Sequence, residues 1–195
     1  MIANHIHDAL DQVKTLRELI LEKKHFRGYS GKARIISGLA SLAGAVVLSH
    51  PRIPASPYSH LMGWGVILVV GLLLNYVAVL YWFLFDHDVR RNPMMLKPAI
   101  DAIPALAIGA VLSLALILAG QYDLLTGVWM CLYGLAQTAY RQSLPKGIYL
   151  VGLVYMICGA GLLVMPQPFV NPWPMGVVFC VGEFAGGCIL IKDKL

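Results

Sequence analysis

Six long apolar runs constrain the fold of this sequence more than any motif does. They span about residues 33–49, 61–85, 99–119, 124–140, 147–165 and 174–191. Each is close to the roughly 20 residues that a helix needs to cross a bilayer. Because 58% of the residues are hydrophobic and only 13% are charged, a soluble domain is excluded. The sequence therefore predicts an all-α polytopic membrane protein with six transmembrane helices.

The positive charges predict how the chain is threaded. Every Lys and Arg except Arg52 lies before or at the start of the first run, in alternate loops after it, or in the tail. Positively charged loops stay in the cytoplasm, so both termini of this multi-pass protein are expected on the cytoplasmic side of a bacterial inner membrane. The net charge of +5 then reflects topology, and we expect the lipid bilayer rather than nucleic acid as partner.

The first 30 residues differ from the bundle (33–191) and from the short cytoplasmic tail (192–195). Apolar residues recur at helical spacing along this segment, among them Ile6, Val13, Leu16 and Ile20. This pattern predicts an amphipathic cytoplasmic or interfacial helix. Its apolar stripe could lie on the membrane surface, cover the cytoplasmic end of the bundle or bind a partner protein.

Matching motifs indicate an internal repeat. Gly44 and Pro51 recur as Gly159 and Pro166, at a constant shift of 115 residues. The fourth and sixth runs also share a Gly-Val start, at residues 127–128 and 176–177. We therefore predict three tandem helix hairpins, each of which enters from the cytoplasm and returns to it.

A chain of helix hairpins with Gly-Ala-rich odd helices and Pro-containing outer turns resembles the HdeD-type small bacterial membrane proteins. It is also similar to bacterial six-helix proteins whose fourth helix carries a W-M-x-L-Y-G-L-A motif, here Trp129 to Ala136. The resemblance covers about residues 33–191. It implies a six-helix membrane fold and a link to acid stress, and it carries over no functional residue.

Glu183 lies at the midpoint of the last apolar run. A carboxylate at bilayer depth is costly, so it is expected to face protein rather than lipid. Small residues surround it at helical spacing, including Cys180, Gly186 and Gly187, and they permit close approach of another helix. The residue is either an ion, proton or ligand site, or a protonated Glu that is hydrogen-bonded across a helix interface.

Two further polar residues lie inside apolar runs. In the frame of the repeat, Asn75 and Gln137 occupy equivalent positions of the second and fourth helices, one turn from the level of Glu183. These three residues could form a transport site near the middle of the membrane. Alternatively, each of them hydrogen-bonds a neighbouring helix separately.

The loop between the second and third runs holds Asp86, His87 and Asp88, and Asp101 follows at the start of the third run. In these cytoplasmic-face candidates, the two loop aspartates with His87 could bind a divalent cation, or His87 could sense pH; the alternative is a solvated loop that only sets the topology. Asp101 could pair with a nearby Lys or Arg or cap the start of the helix. The sequence contains no nucleophile elbow, phosphate loop or H-E-x-x-H motif. We expect no cofactor, no metal site and no catalytic residue.

These observations favour a non-enzymatic sensor, scaffold or accessory protein that couples the membrane bundle to a cytoplasmic partner. The alternative is a small-solute, proton or cation transporter or channel that uses Glu183, Asn75 and Gln137. The polytopic bundle is also compatible with a homo-oligomer.

Overall fold

The computed structural model describes residues 10, 12–16, 28–85, 96–139 and 144–194, without the side chains of 97, 98 and 194. All regular structure in these ranges is helical. The predicted loop residues Asp86, His87 and Asp88 lie outside the described residues, as do Ile6 and Ile20.

Seven α-helices follow one another in the bundle. They are α1 (Gly31–Leu48), α2 (Pro57–Phe85), α3 (Lys97–Asp101), α4 (Ile103–Leu118), α5 (Leu125–Ala139), α6 (Lys146–Val164) and α7 (Trp173–Lys194). A 3-10 turn, Tyr122–Leu124, leads into α5. The third predicted run forms two helices, α3 and α4, which are separated at Ala102. Pro104 lies in the first turn of α4. Pro has no backbone N–H and is tolerated at such a start.

Within the described part of the chain, five helical segments are long and apolar enough to cross a membrane, which indicates a membrane protein. They are α1, α2, the combined segment Ala99–Leu118, α6 and α7. Helix α5, the predicted fourth span, has only 15 residues. At 1.5 Å per residue it is about 22 Å long, which is shorter than a hydrocarbon core of about 30 Å.

Two antiparallel helix pairs form the most closely packed parts of the bundle: α1 with α7, and α5 with α6. Glycines make both interfaces possible. A Cβ on Gly31 would overlap the carbonyl oxygen of Gly187, and one on Gly134 would overlap that of Gly152. Such direct backbone contact is the usual basis of helix association in lipid, where apolar burial gives little driving force.

The hairpin repeat stays a prediction. The helices of each predicted hairpin do touch, but the tightest interfaces join different hairpins. Gly44 faces the side chain of Ile67 on α2, whereas its predicted counterpart Gly159 faces the backbone of α5. The two glycines therefore have different neighbours.

Candidate functional site

Glu183 lies in the middle of α7, and only 3% of its surface is exposed. Helix α1 approaches it so closely that a Cβ on Gly38 would lie 2.9 Å from the Cβ of Glu183. The antiparallel register thus brings Glu183 beside the N-terminal half of α1.

Arg34, from the first turns of α1, forms a two-point ion pair with Glu183. Its Nε donates to Oε2 at 3.0 Å and its Nη2 donates to Oε1 at 2.7 Å. Helix α1 begins after Ser30, whose side chain accepts a hydrogen bond from the backbone N–H of Ala33. Gly186 leaves the space for the guanidinium, because a Cβ there would lie 2.9 Å from its Cζ. The planar fork of arginine matches a carboxylate in this arrangement.

Two tyrosines complete the surroundings of the carboxylate. The hydroxyl of Tyr133 on α5 donates to Oε1 of Glu183 at 2.8 Å. The hydroxyl of Tyr155 on α6 lies 3.3 Å from the same oxygen and 3.3 Å from the carbonyl oxygen of Phe179. The rings of Tyr133, Tyr155 and Phe179 pack together, with centroids 5.1–5.3 Å apart.

Glu183 therefore accepts hydrogen bonds from α1, α5 and α6 while it belongs to α7. Three of the four contacts converge on Oε1, from Nη2 of Arg34 and the two tyrosine hydroxyls, and the fourth reaches Oε2 from Nε of Arg34. The charge of Arg34 compensates that of Glu183 at contact distance. This arrangement joins four helices at one point and is unlike the open carboxylate of a cation site.

Asn75 on α2 reaches α1 rather than Glu183. Its Nδ2 donates to Oγ of Ser37 at 3.1 Å and to the carbonyl oxygen of Gly71 at 2.9 Å. Ser37 in turn donates to the backbone of its own helix, at the carbonyl of Ala33. This contact matches the predicted alternative in which an intramembrane polar residue bonds a neighbouring helix.

Gln137 on α5 is 5% exposed, and neither its Nε2 nor its Oε1 has a hydrogen-bond partner among the described residues. Buried polar atoms are nearly always paired, because leaving them unpaired is costly. Gln137 therefore requires an explanation that the described part of the protein does not give.

Gln137, Asn75 and Glu183 all line one interior cavity of about 540 Å³. Its wall is mostly apolar and is built by residues of α1, α2, α4, α5, α6 and α7. At the end away from Gln137, the wall includes Leu125 and Phe169. The backbone N–H of Phe169 donates to Oδ1 of Asp123 at 2.7 Å, which fixes that end. The three predicted site residues thus share a cavity, although Glu183 hydrogen-bonds neither of the other two within the described chain.

The remaining candidates among the described residues are not part of the wall of this cavity. Asp101 ends α3 and is exposed. In the N-terminal segment, Leu10, Val13 and Leu16 are exposed to 55%, 61% and 58%. These three side chains therefore do not cover the bundle, which leaves a membrane surface or a partner among the predicted roles of the stripe.

Sequence reasoning did not identify Arg34, Tyr133 or Tyr155 as neighbours of Glu183. Arg34 looked like one more topological charge at the end of a basic segment. A signal was nevertheless present, because Gly31 and Gly38 flank Arg34 at helical spacing, and Gly186 and Gly187 follow Glu183 at i+3 and i+4. The tyrosines carried no comparable signal within apolar sequence.

No family model, curated protein or solved structure matches this chain. A function must therefore be inferred from the geometry of the cavity and of the ion pair.

Proposed function

We propose that this is a non-enzymatic sensor or accessory protein of a bacterial inner membrane, which couples its helix bundle to a cytoplasmic partner. The observation that carries this proposal is that Arg34, Tyr133 and Tyr155, from three other helices, all contact the carboxylate of Glu183. The one acidic residue buried among the described helices is thereby committed to holding the bundle together. The resemblance to HdeD-type proteins is compatible with such a role.

The proposed topology has six crossings, with α5 as the short one and both termini in the cytoplasm. The charge distribution supports it, since Arg52 is the one basic residue in the outer loops. Local thinning of the bilayer accommodates a short span at modest cost. A reporter that is active only in the cytoplasm should be active when it is fused to either terminus, and a reporter that is active only in the periplasm should be inactive there. Activity of a periplasm-specific reporter at either terminus would contradict this topology.

The proposed contact with the partner is the apolar stripe of the N-terminal segment. Exposure of Leu10, Val13 and Leu16 supports this, because contiguous exposed apolar side chains mark interaction sites. A photo-crosslinking residue at Val13 or Leu16 in living cells should yield one discrete protein adduct. The same group at the exposed Lys14, one position along the helix, is the matched control and should not yield it. Adducts to lipid alone would show that the stripe lies on the membrane.

A transporter is the second candidate, because Asn75, Gln137 and Glu183 line the same cavity. Reconstituted vesicles with an imposed proton or cation gradient separate the two functions. A sensor should show no flux above that of empty vesicles. Flux that is lost in Asn75→Leu and Gln137→Leu would establish the transporter. These variants are preferable to Glu183→Gln, which leaves Arg34 buried without its counter-charge.

A further inference from the structure

The cavity has an uneven distribution of polar groups. Residues 125 to 137 of α5 run along it, which is about 18 Å at 1.5 Å per residue. Leu125, Trp64 and Phe169 line one end, and all three are buried hydrophobic residues. Gln137 and the Arg34–Glu183 pair lie toward the other end. A ligand that fits this cavity has one polar end and one long apolar part.

The side chain of Gln137 indicates which hydrogen-bonding groups the polar end of the ligand must carry. Its amide presents two N–H donors and an acceptor oxygen, and the described protein satisfies neither atom. A hydroxyl group, which both donates and accepts, complements such an amide. A ligand with acceptors alone would leave Oε1 of Gln137 unpaired.

The electrostatics of the wall exclude a charged headgroup. Arg34 and Glu183 are the charged residues that line the cavity, and they compensate one another at 2.7 Å. A charged ligand would enter an apolar space without a counter-charge, which is strongly unfavourable. The ligand is therefore neutral.

The wall also indicates where the ligand enters. Helix α2 packs on α1, and α4 packs on α5, but α2 and α4 do not pack against each other along their lengths. Both line the cavity, and both are the least buried of the candidate spans. The cavity is partly open, and the neighbouring medium between these two helices is lipid in the proposed membrane orientation.

We propose that the cavity binds a neutral single-chain lipid with a hydroxyl headgroup, of the monoacylglycerol type, which enters from the bilayer between α2 and α4. The hydroxyl hydrogen-bonds the amide of Gln137, and the chain extends toward Trp64 and Phe169. A volume of about 540 Å³ lies within the range of small-ligand sites, roughly 300–1,000 Å³. This inference goes beyond the proposed function, because it requires the membrane bundle but no cytoplasmic partner.

The protein contains its own reporters for a test. Of its four tryptophans, Trp64 and Trp129 line the cavity, while Trp82 and Trp173 do not. The full chain with Trp82→Phe and Trp173→Phe, reconstituted in phosphatidylcholine vesicles, would fluoresce only from the cavity. Bromine quenches indole fluorescence on contact. A monoacylglycerol with a dibrominated chain should therefore quench this protein saturably, and a dibrominated phosphatidylcholine should quench it much less.

Gln137→Leu, in the same background, tests the headgroup contact. Losing two hydrogen bonds should weaken binding of the brominated monoacylglycerol about tenfold. Binding of a brominated alkane without a headgroup should not weaken. Gly71→Leu is the second variant, since it fills the cavity at a position where a Cβ meets nothing within 4 Å. It should reduce quenching by both probes even if Gln137→Leu fails to fold.

Three results would overturn the proposal: no saturable quenching by the monoacylglycerol, equal saturable quenching by phosphatidylcholine, or unchanged affinity in Gln137→Leu. Each of these concerns the cavity alone. A failure of the crosslinking experiment on the N-terminal stripe would contradict the partner and leave lipid binding intact, so the two proposals fail separately.

Discussion

Helix α1 buries 44% of its most apolar 18-residue window inside the protein, whereas α2 and the segment Ala99–Leu118 each bury 6%. The difference does not follow from hydrophobicity, because the two less buried segments are the more apolar ones. It follows from side-chain size. Helix α1 buries Gly31, Ser37, Gly38, Ser41 and Ala45, all of them small, whereas most of the exposed side chains of α2 are Leu and Val. In lipid, large apolar side chains gain little by leaving the bilayer, so small and polar residues decide which helices pack.

The two glycine-rich pairs and the two loosely packed helices thus have different roles. The pairs α1–α7 and α5–α6 form the rigid part of the bundle, and Glu183 joins them through Arg34, Tyr133 and Tyr155. Helices α2 and α4 complete the wall of the cavity. The tight region should be sensitive to substitution, and the loose region should be tolerant.

The largest expected effect is on the ion pair between the tight helices. Arg34→Met should lower the free energy of unfolding by about 3–5 kcal/mol, because it leaves the buried Glu183 uncompensated. The double variant Arg34→Met, Glu183→Leu should recover most of this loss. Denaturant unfolding of the purified protein in detergent measures both. Lys32→Met, at an exposed position of the same turn, is the control and should change stability by less than about 0.5 kcal/mol. Equal losses in the single and double variants would contradict charge compensation.

The next effect concerns the hydrogen bond that brings α5 to this junction. Tyr133→Phe keeps the ring in its aromatic cluster and removes only the bond to Glu183. The expected loss is about 1.5–3 kcal/mol, typical of a hydrogen bond to a charged group. Tyr155→Phe should cost less, since its hydroxyl lies at 3.3 Å rather than 2.8 Å from the carboxylate. Tyr58→Phe, at a position 69% exposed, is the matched control. A Tyr155→Phe loss larger than that of Tyr133→Phe would be inconsistent with these distances.

A pair of glycine substitutions compares the tight and loose regions directly. In Gly134→Ala the new Cβ would lie 2.5 Å from the carbonyl oxygen of Gly152, so α5 and α6 must separate. Overpacking of this kind costs about 1–3 kcal/mol. In Gly71→Ala the Cβ meets nothing within 4 Å, so the variant should be neutral or stabilised by up to about 1 kcal/mol through helix propensity. Thermal unfolding should show a lower melting temperature for Gly134→Ala than for Gly71→Ala. Similar melting temperatures would contradict the distinction between the tight and loose regions.

The smallest effect is expected where the loose helix α2 meets the tight region. Asn75→Leu removes the interhelical hydrogen bond to Ser37, and such bonds within membranes average about 0.6 kcal/mol. A double-mutant cycle with Ser37→Ala measures this coupling without the separate cost of each side chain. A coupling above about 2 kcal/mol would show that α2 is held as firmly as the glycine-packed helices.

The sequence predicted most of the polar residues of the site, but it did not predict which of them contact one another. Glu183, Asn75 and Gln137 stood out because polar side chains are rare in apolar runs, and all three line the cavity. Arg34 did not stand out, since it follows a basic segment and fits the topological pattern equally well. The fourth run, about residues 124–140, was placed within one residue of each described end of helix α5 (Leu125–Ala139).

The order of apolar and polar residues along the sequence determined the helical class, the approximate positions of the five candidate spans and the identity of the buried carboxylate, because the bilayer acts on each segment separately. The tertiary structure decided which helices pair, that Arg34 rather than Asn75 or Gln137 meets Glu183, and that a cavity lined by six helices remains in the bundle. Those outcomes depend on backbone contacts between residues far apart in the chain, such as Gly31 with Gly187 and Gly38 with Glu183. Periodicity within one helix shows which face carries small side chains, but it contains no information about which other helix packs against that face.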